Sequence, residues 1–336
     1  MNDQTFPRMA RDGGAQALQR PAGDSQPAGF VSCYVINLPQ AAGRRAAMAS
    51  RLDAQGLPYR LFRAVDGRRL TAGERAAHVN DARALREGYA LSPGEIGCAL
   101  SHLAIYRDMV NHDTPYAVVL EDDVCLAGDF ARLLDPSDPA GLASLFHPED
   151  AAVVQLTHVR RGYRLGSRPV GSGHRLVRPH GGVWRASAYF LTLGAARRLA
   201  EGLYPIWTVA DDWRRIEGAG LVALHALTPN CAWESRESLA SDIEPERRPR
   251  RPAARTLATR LRRWVDDLVV RPLLVRRLER AGGPPPAPEG APQHASKQAL
   301  KQAPQRTSGQ MPDQTLQGEA CTREPGTDPR ARQPAA

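Results

Sequence analysis

The stretch PYAVVLEDDVCL, residues 115–126, passes from a short apolar run into three carboxylates, Glu121, Asp122 and Asp123, and then back into apolar side chains. Like charges repel and burial makes each charge more costly, so such a cluster needs a cation, a basic partner or water. If 117–120 is a strand of an open α/β sheet, the carboxylates lie at its carboxyl end, where such sheets bind ligands. Because successive strand residues point to opposite faces, Glu121 and Asp123 share one side and Asp122 faces away.

Carboxylates at this spacing suit a hard divalent cation such as Mg²⁺ or Mn²⁺, which prefers oxygen ligands and often binds substrate phosphates as well. The alternative is a set of acids that cap a helix or form salt bridges at the end of a strand.

The rest of the chain alternates between strand and helix patterns. Helical spacing predicts helices at 43–56 and 194–203. Runs of β-branched, aromatic or other apolar residues predict strands at 30–38, 59–65, 117–120 and 187–193. This alternation predicts an α/β sheet with crossover connections.

One helix start is especially clear, in the segment LSPGEIG. Ser92 is the predicted N-cap, a proline follows at the first helical position, and Glu95 completes a capping box. We expect this helix to continue to about residue 111, with a buried stripe that includes Ile96. Ser101 and His102 lie within this helix and are candidate functional side chains. The alternative is that Ser101 is a small residue at a helix crossing and His102 a core histidine bonded to a carbonyl.

The composition indicates a globular protein with a sizeable core, since 42% of the 336 residues are hydrophobic. Five widely spaced cysteines form neither a CxxC pair nor a zinc-finger pattern, which favours reduced thiols in a cytosol. The N-terminus has no apolar signal segment, and no apolar run approaches the roughly 20 residues of a spanning helix. We therefore expect a cytoplasmic protein that is not integral to a membrane.

The formal net charge of +9 is concentrated in one segment. Residues 246–280 contain twelve arginines and four acidic residues, a net +8, which leaves the remainder close to neutral. A near-neutral body argues against a broad electrostatic surface for DNA or RNA. Nucleic acid is therefore not an expected partner.

Four regions follow from these changes in composition. Residues 1–29 and 282–336 have low complexity and are predicted to be disordered. Residues 30–245 are the predicted folded body, and 246–281 a basic amphipathic helical segment.

The basic segment has apolar residues at helical spacing with arginines on its other faces: Leu257, Leu261, Trp264, Val265 and Leu268. Such a helix is typical of a peripheral contact with an anionic membrane surface, here the inner face of the cytoplasmic membrane. The alternative is an ordinary helix docked on the body with solvated arginines.

Several motifs occur together in the order and spacing of one enzyme family. They are YVINLP (34–39), a basic helix start at Arg44 and Arg45, FRAVDG (62–67), LSPGEIGCALSHLAIY (91–106) and VVLEDDV (118–124). Together they resemble glycosyltransferase family 25, the sugar transferases of lipooligosaccharide and lipopolysaccharide synthesis. The resemblance is strong over residues 31–130 and thins beyond, to SAYFLTLGAARRL (187–199), the pair Asp211 and Asp212, and SDIE (241–244).

The resemblance implies a GT-A-like, Rossmann-like nucleotide-sugar-binding domain with a mostly parallel central sheet, and makes 30–245 the catalytic domain. It implies transfer of a hexose from UDP-galactose or UDP-glucose to a lipid-linked saccharide, with inversion. Glu121, Asp122 and Asp123 resemble the acidic motif that binds Mn²⁺ or Mg²⁺. The resemblance places Asn37, Asp66 and Gly67 on the donor side. Arg44, which could stabilise the departing diphosphate, and Glu95 and Ser101 are further predicted donor-binding residues. The family usually has a charged pair after Asn-Leu, whereas PQAAG intervenes here before Arg44.

An inverting transferase needs a base that takes the proton of the acceptor hydroxyl. Asp211 and Asp212, after PIWTVA, are candidates, and their alternative role is an acidic pair at a helix N-terminus. His102 is a further candidate, either as the base or as a residue that orients the acidic loop.

Two other functions compete with a transferase. A metal-dependent nuclease also gathers carboxylates, but it needs positive charge around its cleft, which a near-neutral body does not favour. A non-catalytic nucleotide- or saccharide-binding module of the same fold has the same sequence pattern, and only turnover separates it from an enzyme.

Overall fold

The computed structural model describes residues 17–18, 31–235, 264 and 266–281, and every structural statement below refers to these residues. The predictions for SDIE (241–244) and for Leu257, Leu261 and Val265 lie outside them, as do those for 282–336 and for all of 1–29 except residues 17–18.

The described chain contains thirteen strands and eight α-helices. The strands are β1 Ala17–Leu18, β2 Ser32–Asn37, β3 Tyr59–Arg63, β4 Tyr116–Glu121, β5 Val124–Leu126, β6 Ala152–Gln155, β7 Arg161–Tyr163, β8 Arg168–Val170, β9 His174–Val177, β10 Ala188–Thr192, β11 Ala223–Thr228, β12 Ala232–Glu234 and β13 Val275–Arg277. The helices are α1 Ala42–Asp53, α2 Ala72–His78, α3 Asp81–Arg86, α4 Pro93–Asn111, α5 Phe130–Leu133, α6 Leu193–Gly202, α7 Trp213–Gly218 and α8 Arg271–Leu274. Short 3-10 helices lie at Gly67–Arg69 and Ala143–Leu145, and a π-helical turn at Asp266–Val270.

Nine strands form the central sheet, in the order β1-β3-β2-β4-β10-β6-β11-β9-β8. The predicted α/β class is confirmed, and the strand pairs are mixed. Three pairs are parallel (β2 with β3, β2 with β4, β6 with β11) and five are antiparallel. The family resemblance implied a mostly parallel sheet. The parallel pairing is centred on β2, and the antiparallel β10 joins this part to β6 and β11.

Both faces of the sheet are covered, which explains why β2 is an almost continuous apolar run. Tyr34 and Ile36 belong to a core formed with α4 and α6, whereas Cys33 and Val35 belong to a second core with Met48 of α1. Every residue of β2 is buried. The sheet is thus the middle layer of an α/β/α arrangement.

The helix predicted from LSPGEIG is confirmed. Ser92 caps α4, its side chain accepts from the backbone NH of Glu95, and the Glu95 carboxylate accepts from the backbone NH of Ser92. The buried surface is much wider than the predicted stripe, because α4 lies between the sheet, α6 and the turn at Gly67–Arg69. Its buried residues are Ile96, Gly97, Ala99, Leu100, Ser101, His102, Leu103, Ile105, Tyr106 and Met109.

The described part of the basic segment is helical at Asp266–Val270 and Arg271–Leu274, but it ends in a strand where an amphipathic helix was predicted. After α8 the chain forms β13, which pairs with β7 in a separate two-stranded sheet, with Arg276 opposite Gly162. Val275 and Leu278 are buried against the body. A strand replaces the helix here because the backbone of 275–277 finds pairing partners in β7. Within the described part of the chain, no helix is both long and apolar enough to cross a bilayer.

Candidate active site

The carboxyl ends of β2 and β4 meet at one edge of the sheet, because these strands are parallel neighbours with Ile36 opposite Glu121. Asn37 ends β2, Glu121 ends β4, and Asp122 and Asp123 follow in the turn to β5. Ligands of open α/β sheets bind at such an edge. The acidic stretch singled out in the sequence is therefore in the position expected of a ligand site.

Asp122 is surrounded by protein partners. The side-chain amide of Asn37 donates to one carboxylate oxygen, and Arg44 Nε lies 3.1 Å from the other in an ion pair. Arg45 in turn donates to Asn37 Oδ1 over 3.2 Å. Burial raises the pKa of Asp122, while Arg44 and Asn37 act in the opposite direction. Asp122 therefore anchors the turn and holds Arg44 in place.

Asp123 has the opposite environment. Its Oδ1 is buried and has no hydrogen-bond partner. Burial, together with the negative charges of Glu121, Asp122 and Glu234, raises the pKa of Asp123 to about 7. A divalent cation would relieve this repulsion and satisfy the unpartnered oxygen, so the Asp123 carboxylate fits the metal that the acidic motif implies.

Glu234 and Arg185 belong to this acidic region, although sequence reasoning missed both. Glu234 ends β12, which pairs with β5 and places Glu234 opposite Val124. Arg185 Nη1 lies 2.6 Å from Glu234 Oε2. For Glu234, the local sequence signal was the short stretch NCAWE, which resembles a strand that ends in an acidic residue.

Arg185 has an unusual backbone conformation, with φ of 89°. Positive φ is uncommon for a residue with a side chain and requires support from its surroundings. Here the backbone carbonyl of Arg185 accepts from Gln155 Nε2 at 2.9 Å and from Trp213 Nε1 at 2.8 Å. These two donors fix the segment that directs the guanidinium group toward Glu234.

The loop after β3 forms another wall of the site by direct backbone contact with α4. A Cβ atom on Gly67 would lie 1.9 Å from the carbonyl oxygen of Pro93, and one on Gly97 would lie 2.5 Å from the carbonyl oxygen of Val65. Ser101 Oγ accepts from the backbone NH of Val65 at 2.8 Å and donates to the carbonyl of Gly97 at 2.7 Å. Gly67 of FRAVDG and Gly97 of GEIG are therefore required because the backbone of the loop after β3 touches the backbone of α4 at these two positions.

The structure brings most of the predicted donor and metal residues to one cleft. Its lining includes Arg44, Asp66, Gly67, Ser101, His102, Glu121 and Asp122. Asn37 reaches this group through Asp122. Asp123 is not among the lining residues, so the cleft is shared by Glu121 and Asp122 and not, as predicted, by Glu121 and Asp123.

Glu95 was predicted to bind the donor but is not among the lining residues, because its carboxylate turns back to the backbone NH of Ser92 as part of the capping box. Its observed role is to fix the start of α4.

His102 forms part of the cleft wall, with only 2% of its surface exposed. Its Nδ1 lies 2.8 Å from the hydroxyl of Tyr189, which lies 2.9 Å from the hydroxyl of Tyr106. The partner is thus a hydroxyl and not the carbonyl considered from the sequence. The Nε2 atom is buried without a hydrogen-bond partner, 3.7 Å from Glu121 Oε1.

Asp211 and Asp212 are not brought to this cleft. Asp212 is the N-cap of α7, where its Oδ1 accepts from the backbone NH of Arg215 at 3.2 Å. The hydroxyl of Tyr89 donates to its other oxygen. Asp212 lines a second cavity, between α3 and α7. The geometry of Asp212 matches the alternative role of an acid at a helix N-terminus, and the assignment of a catalytic base stays a prediction.

Comparison with known proteins gives a consistent assignment. Residues 30–213 match the sequence model of the family described as glycosyltransferase family 25 (LPS biosynthesis protein). The lacto-N-neotetraose biosynthesis glycosyltransferase LgtE of Neisseria meningitidis serogroup B is 26% identical over 244 residues, which cover 67% of this chain and 84% of that protein.

Two animal proteins are similar over shorter regions. Human procollagen galactosyltransferase 2 is 27% identical over 179 residues, covering 51% of this chain and 27% of the human protein. The inactive glycosyltransferase 25 family member 3 of Mus musculus is 33% identical over 122 residues, covering 35% of this chain and 21% of that protein. The matched region is thus only a minor part of each of these two animal relatives.

Proposed function

The chain belongs to glycosyltransferase family 25, and we propose that it transfers a hexose from a UDP-sugar to a lipid-linked saccharide in lipopolysaccharide or lipooligosaccharide synthesis. The observation that carries this proposal is the buried, unpartnered Oδ1 of Asp123, which lies among other carboxylates at the carboxyl edge of the sheet, next to the cleft that Glu121 and Asp122 line. The name of one relative, procollagen galactosyltransferase 2, favours galactose as the sugar.

Glu121 and Asp123 are the proposed ligands of a divalent cation, Mn²⁺ or Mg²⁺. Their carboxylate oxygens suit a hard cation, and the unpartnered Asp123 Oδ1 supports this assignment. When bound, the cation would neutralise charge that develops on the departing diphosphate.

Two arginines flank the carboxylates and would bind the phosphate oxygens of the donor. Arg44 is paired with Asp122, and Arg185 with Glu234, and the side chains of both arginines are partly exposed. Guanidinium groups form short, charge-assisted hydrogen bonds with phosphate, and they stabilise the leaving group most when its charge has developed. We therefore assign Arg44 and Arg185 to leaving-group stabilisation.

Transfer with inversion requires a base for the proton of the acceptor hydroxyl. Of the predicted candidates, His102 is the one that lines the cleft, with Nε2 directed toward Glu121. Asp211 stays a candidate next to the N-cap of α7, whereas Asp212 already accepts from Tyr89 and Arg215.

The second cavity is the proposed acceptor site. It has a volume of about 910 Å³, within the range of small-molecule sites, and Trp184 lines it with 41% of its surface exposed. Arg86 and Arg214 add positive charge to the lining. Trp184 adjoins Arg185 in the chain, which connects this cavity to the acidic turn.

The described end of the basic segment is the proposed contact with an anionic membrane. Large apolar side chains are exposed there: Trp264, Leu268, Val269, Leu273 and Leu274. Since β13 attaches this segment to β7, a double Leu268→Ser, Leu273→Ser variant tests the contact better than a truncation. The variant should stay folded and lose sedimentation with anionic liposomes, while unchanged sedimentation would contradict the contact.

The function is tested by incubating the chain with several UDP-sugars and Mn²⁺ and measuring UDP release. UDP-galactose or UDP-glucose should be consumed, faster with a saccharide acceptor, and chelation of the metal should stop the reaction. One relative is named inactive, so the competing function is a binding module without turnover. Binding of UDP-sugars without release of UDP for any sugar would establish that alternative.

A further inference from the structure

Three possible metal ligands of different chemistry converge in the cleft wall. The thiol of Cys98, Nε2 of His102 and a carboxylate oxygen of Glu121 all lie within 4.8 Å of one another. In tetrahedral zinc sites, with metal distances of about 2.3 Å to sulfur and about 2.0 to 2.1 Å to nitrogen or oxygen, neighbouring ligand atoms are roughly 3.3 to 3.7 Å apart. The 3.7 Å between His102 Nε2 and Glu121 Oε1 already meets this requirement. A shift of about 1 Å would bring the sulfur to the same spacing.

Rigid elements supply all three ligands. Cys98 and His102 are four residues apart on α4, so their side chains lie on one face of the helix, and Glu121 is the last residue of β4. The capping box and the close backbone contacts at Gly97 hold α4 against the rest of the site. Little conformational freedom would be lost when a cation binds there.

The environment of His102 gives an independent indication of a ligand. A buried polar atom without a hydrogen bond is costly and therefore rare. The Nε2 atom of His102 is such an atom, although the residue is 98% buried and its Nδ1 has a partner. When the Tyr189 hydroxyl donates to Tyr106, its oxygen accepts a hydrogen bond from Nδ1–H of His102, and Nε2 then carries the lone pair, 3.7 Å from Glu121 Oε1. A hydrogen bond at the second nitrogen is what orients histidines that bind metals.

We infer that Cys98, His102 and Glu121 form a binding site for a thiophilic divalent cation of the Zn²⁺ class. A thiolate and an imidazole select such a cation over Mg²⁺, which prefers oxygen alone. The site therefore differs from the proposed oxygen site at Glu121 and Asp123, with Glu121 common to both. While this cation is bound, His102 Nε2 is not available as the base. Three protein ligands beside a cleft leave the fourth position open to water or substrate.

The experiment uses the full chain, freed of metal with a chelator and kept reduced with a phosphine. Co²⁺ is added as a spectroscopic substitute for Zn²⁺, and absorption is recorded in the near ultraviolet, where thiolate-to-cobalt charge transfer appears. One equivalent of Co²⁺ should give this band, millimolar Mg²⁺ should leave it unchanged, and Zn²⁺ should remove it by displacement. This measurement needs no sugar donor and is independent of the proposed transferase activity.

Single substitutions assign the band to its residues. Cys98→Ser, which has nearly the same size, should abolish it, whereas Cys125→Ser on β5 is the matched control and should retain it. Tyr189→Phe keeps the ring but loses the hydroxyl that holds His102, and should weaken Co²⁺ binding about 10- to 100-fold. Circular dichroism and thermal unfolding without metal establish that each variant is folded.

Two outcomes would overturn the inference. One is a folded wild-type chain without a thiolate band, and the other is a band that persists in Cys98→Ser. Loss of the band in Cys98→Ser, with retention in Cys125→Ser, supports the inference. Unchanged Co²⁺ affinity in Tyr189→Phe would contradict the role of Tyr189 in orienting His102.

Discussion

The acidic turn at 121–123 and the pair Asp211–Asp212 look alike in sequence, since each places adjacent carboxylates after an apolar run. Their environments in the structure are opposite. Asp212 accepts from Tyr89 and from the first turn of α7, whereas Asp123 has a buried oxygen without a partner and a raised pKa. Neighbours distant in the chain therefore decide whether a carboxylate stabilises the fold or is left available for a cation.

The largest expected effect is the loss of transferase activity when the acidic turn at 121–123 is changed. Asp123→Ala should lower metal-dependent transfer about a thousandfold or more, because loss of a metal ligand removes several kcal/mol of transition-state stabilisation. Steady-state kinetics with Mn²⁺ measures the loss. The control is Asp53→Ala, at the exposed end of α1. Near-normal turnover by folded Asp123→Ala protein would contradict the metal assignment.

A second prediction concerns the dependence of stability on pH. The pKa of Asp123 is about 7 in the folded protein, above its ordinary value of 3.8. Between these two pH values the Asp123 carboxyl is more protonated in the folded state than in the unfolded chain. The contribution of Asp123 to the free energy of unfolding therefore declines as pH rises. The decline is at most about 1.4 kcal/mol per pH unit and ends above pH 7.

Urea unfolding in the presence of a chelator, at pH 5 and pH 8, measures this dependence. Asp123→Asn should be less sensitive to pH than the wild type, while Asp53→Asn should behave as the wild type does. Added Mn²⁺ should stabilise the wild type more at pH 8 than at pH 5, because protons compete with the cation. Equal pH sensitivity of the free energy of unfolding in the wild type and Asp123→Asn would contradict the raised pKa of Asp123.

A third prediction tests the backbone contact that shapes the cleft. Gly97→Ala places a Cβ atom 2.5 Å from the carbonyl of Val65, and we expect a loss of about 1 to 3 kcal/mol in the free energy of unfolding. Gly73→Ala in α2 is the matched control, since nothing lies within 4 Å of its Cβ, and it should stabilise by about 0.4 to 1 kcal/mol. Chemical denaturation measures both, and equal effects would show that the contact is not required.

The smallest expected effect is at Asp212. Asp212→Asn should lower the free energy of unfolding by about 1 to 2 kcal/mol, because an amide nitrogen in place of Oδ2 cannot accept from Tyr89, while the remaining oxygen still caps α7. Turnover per folded molecule should change little, and Asp211→Asn serves as the adjacent comparison. A rate loss of about 10² to 10⁴ at unchanged stability would instead identify Asp212 as the catalytic base.

The sequence by itself determined the local elements and the position of the acidic motif. The capping box at Ser92 and the apolar runs of β2 and β4 depend on residues close together in the chain, so their patterns predicted these elements directly. The predicted strand at 117–120 also placed the three carboxylates at a carboxyl end, where open α/β sheets bind ligands.

The tertiary structure alone decided which groups surround each carboxylate. Glu234 and Arg185 reach the acidic turn because β12 pairs with β5 and because Gln155 and Trp213 hold the backbone of Arg185. The antiparallel β10 within the sheet, the strand β13 and the burial of His102 on α4 also depend on long-range pairing and packing. Periodicity reports which side of an element is apolar, but it contains no information on which distant segment covers that side.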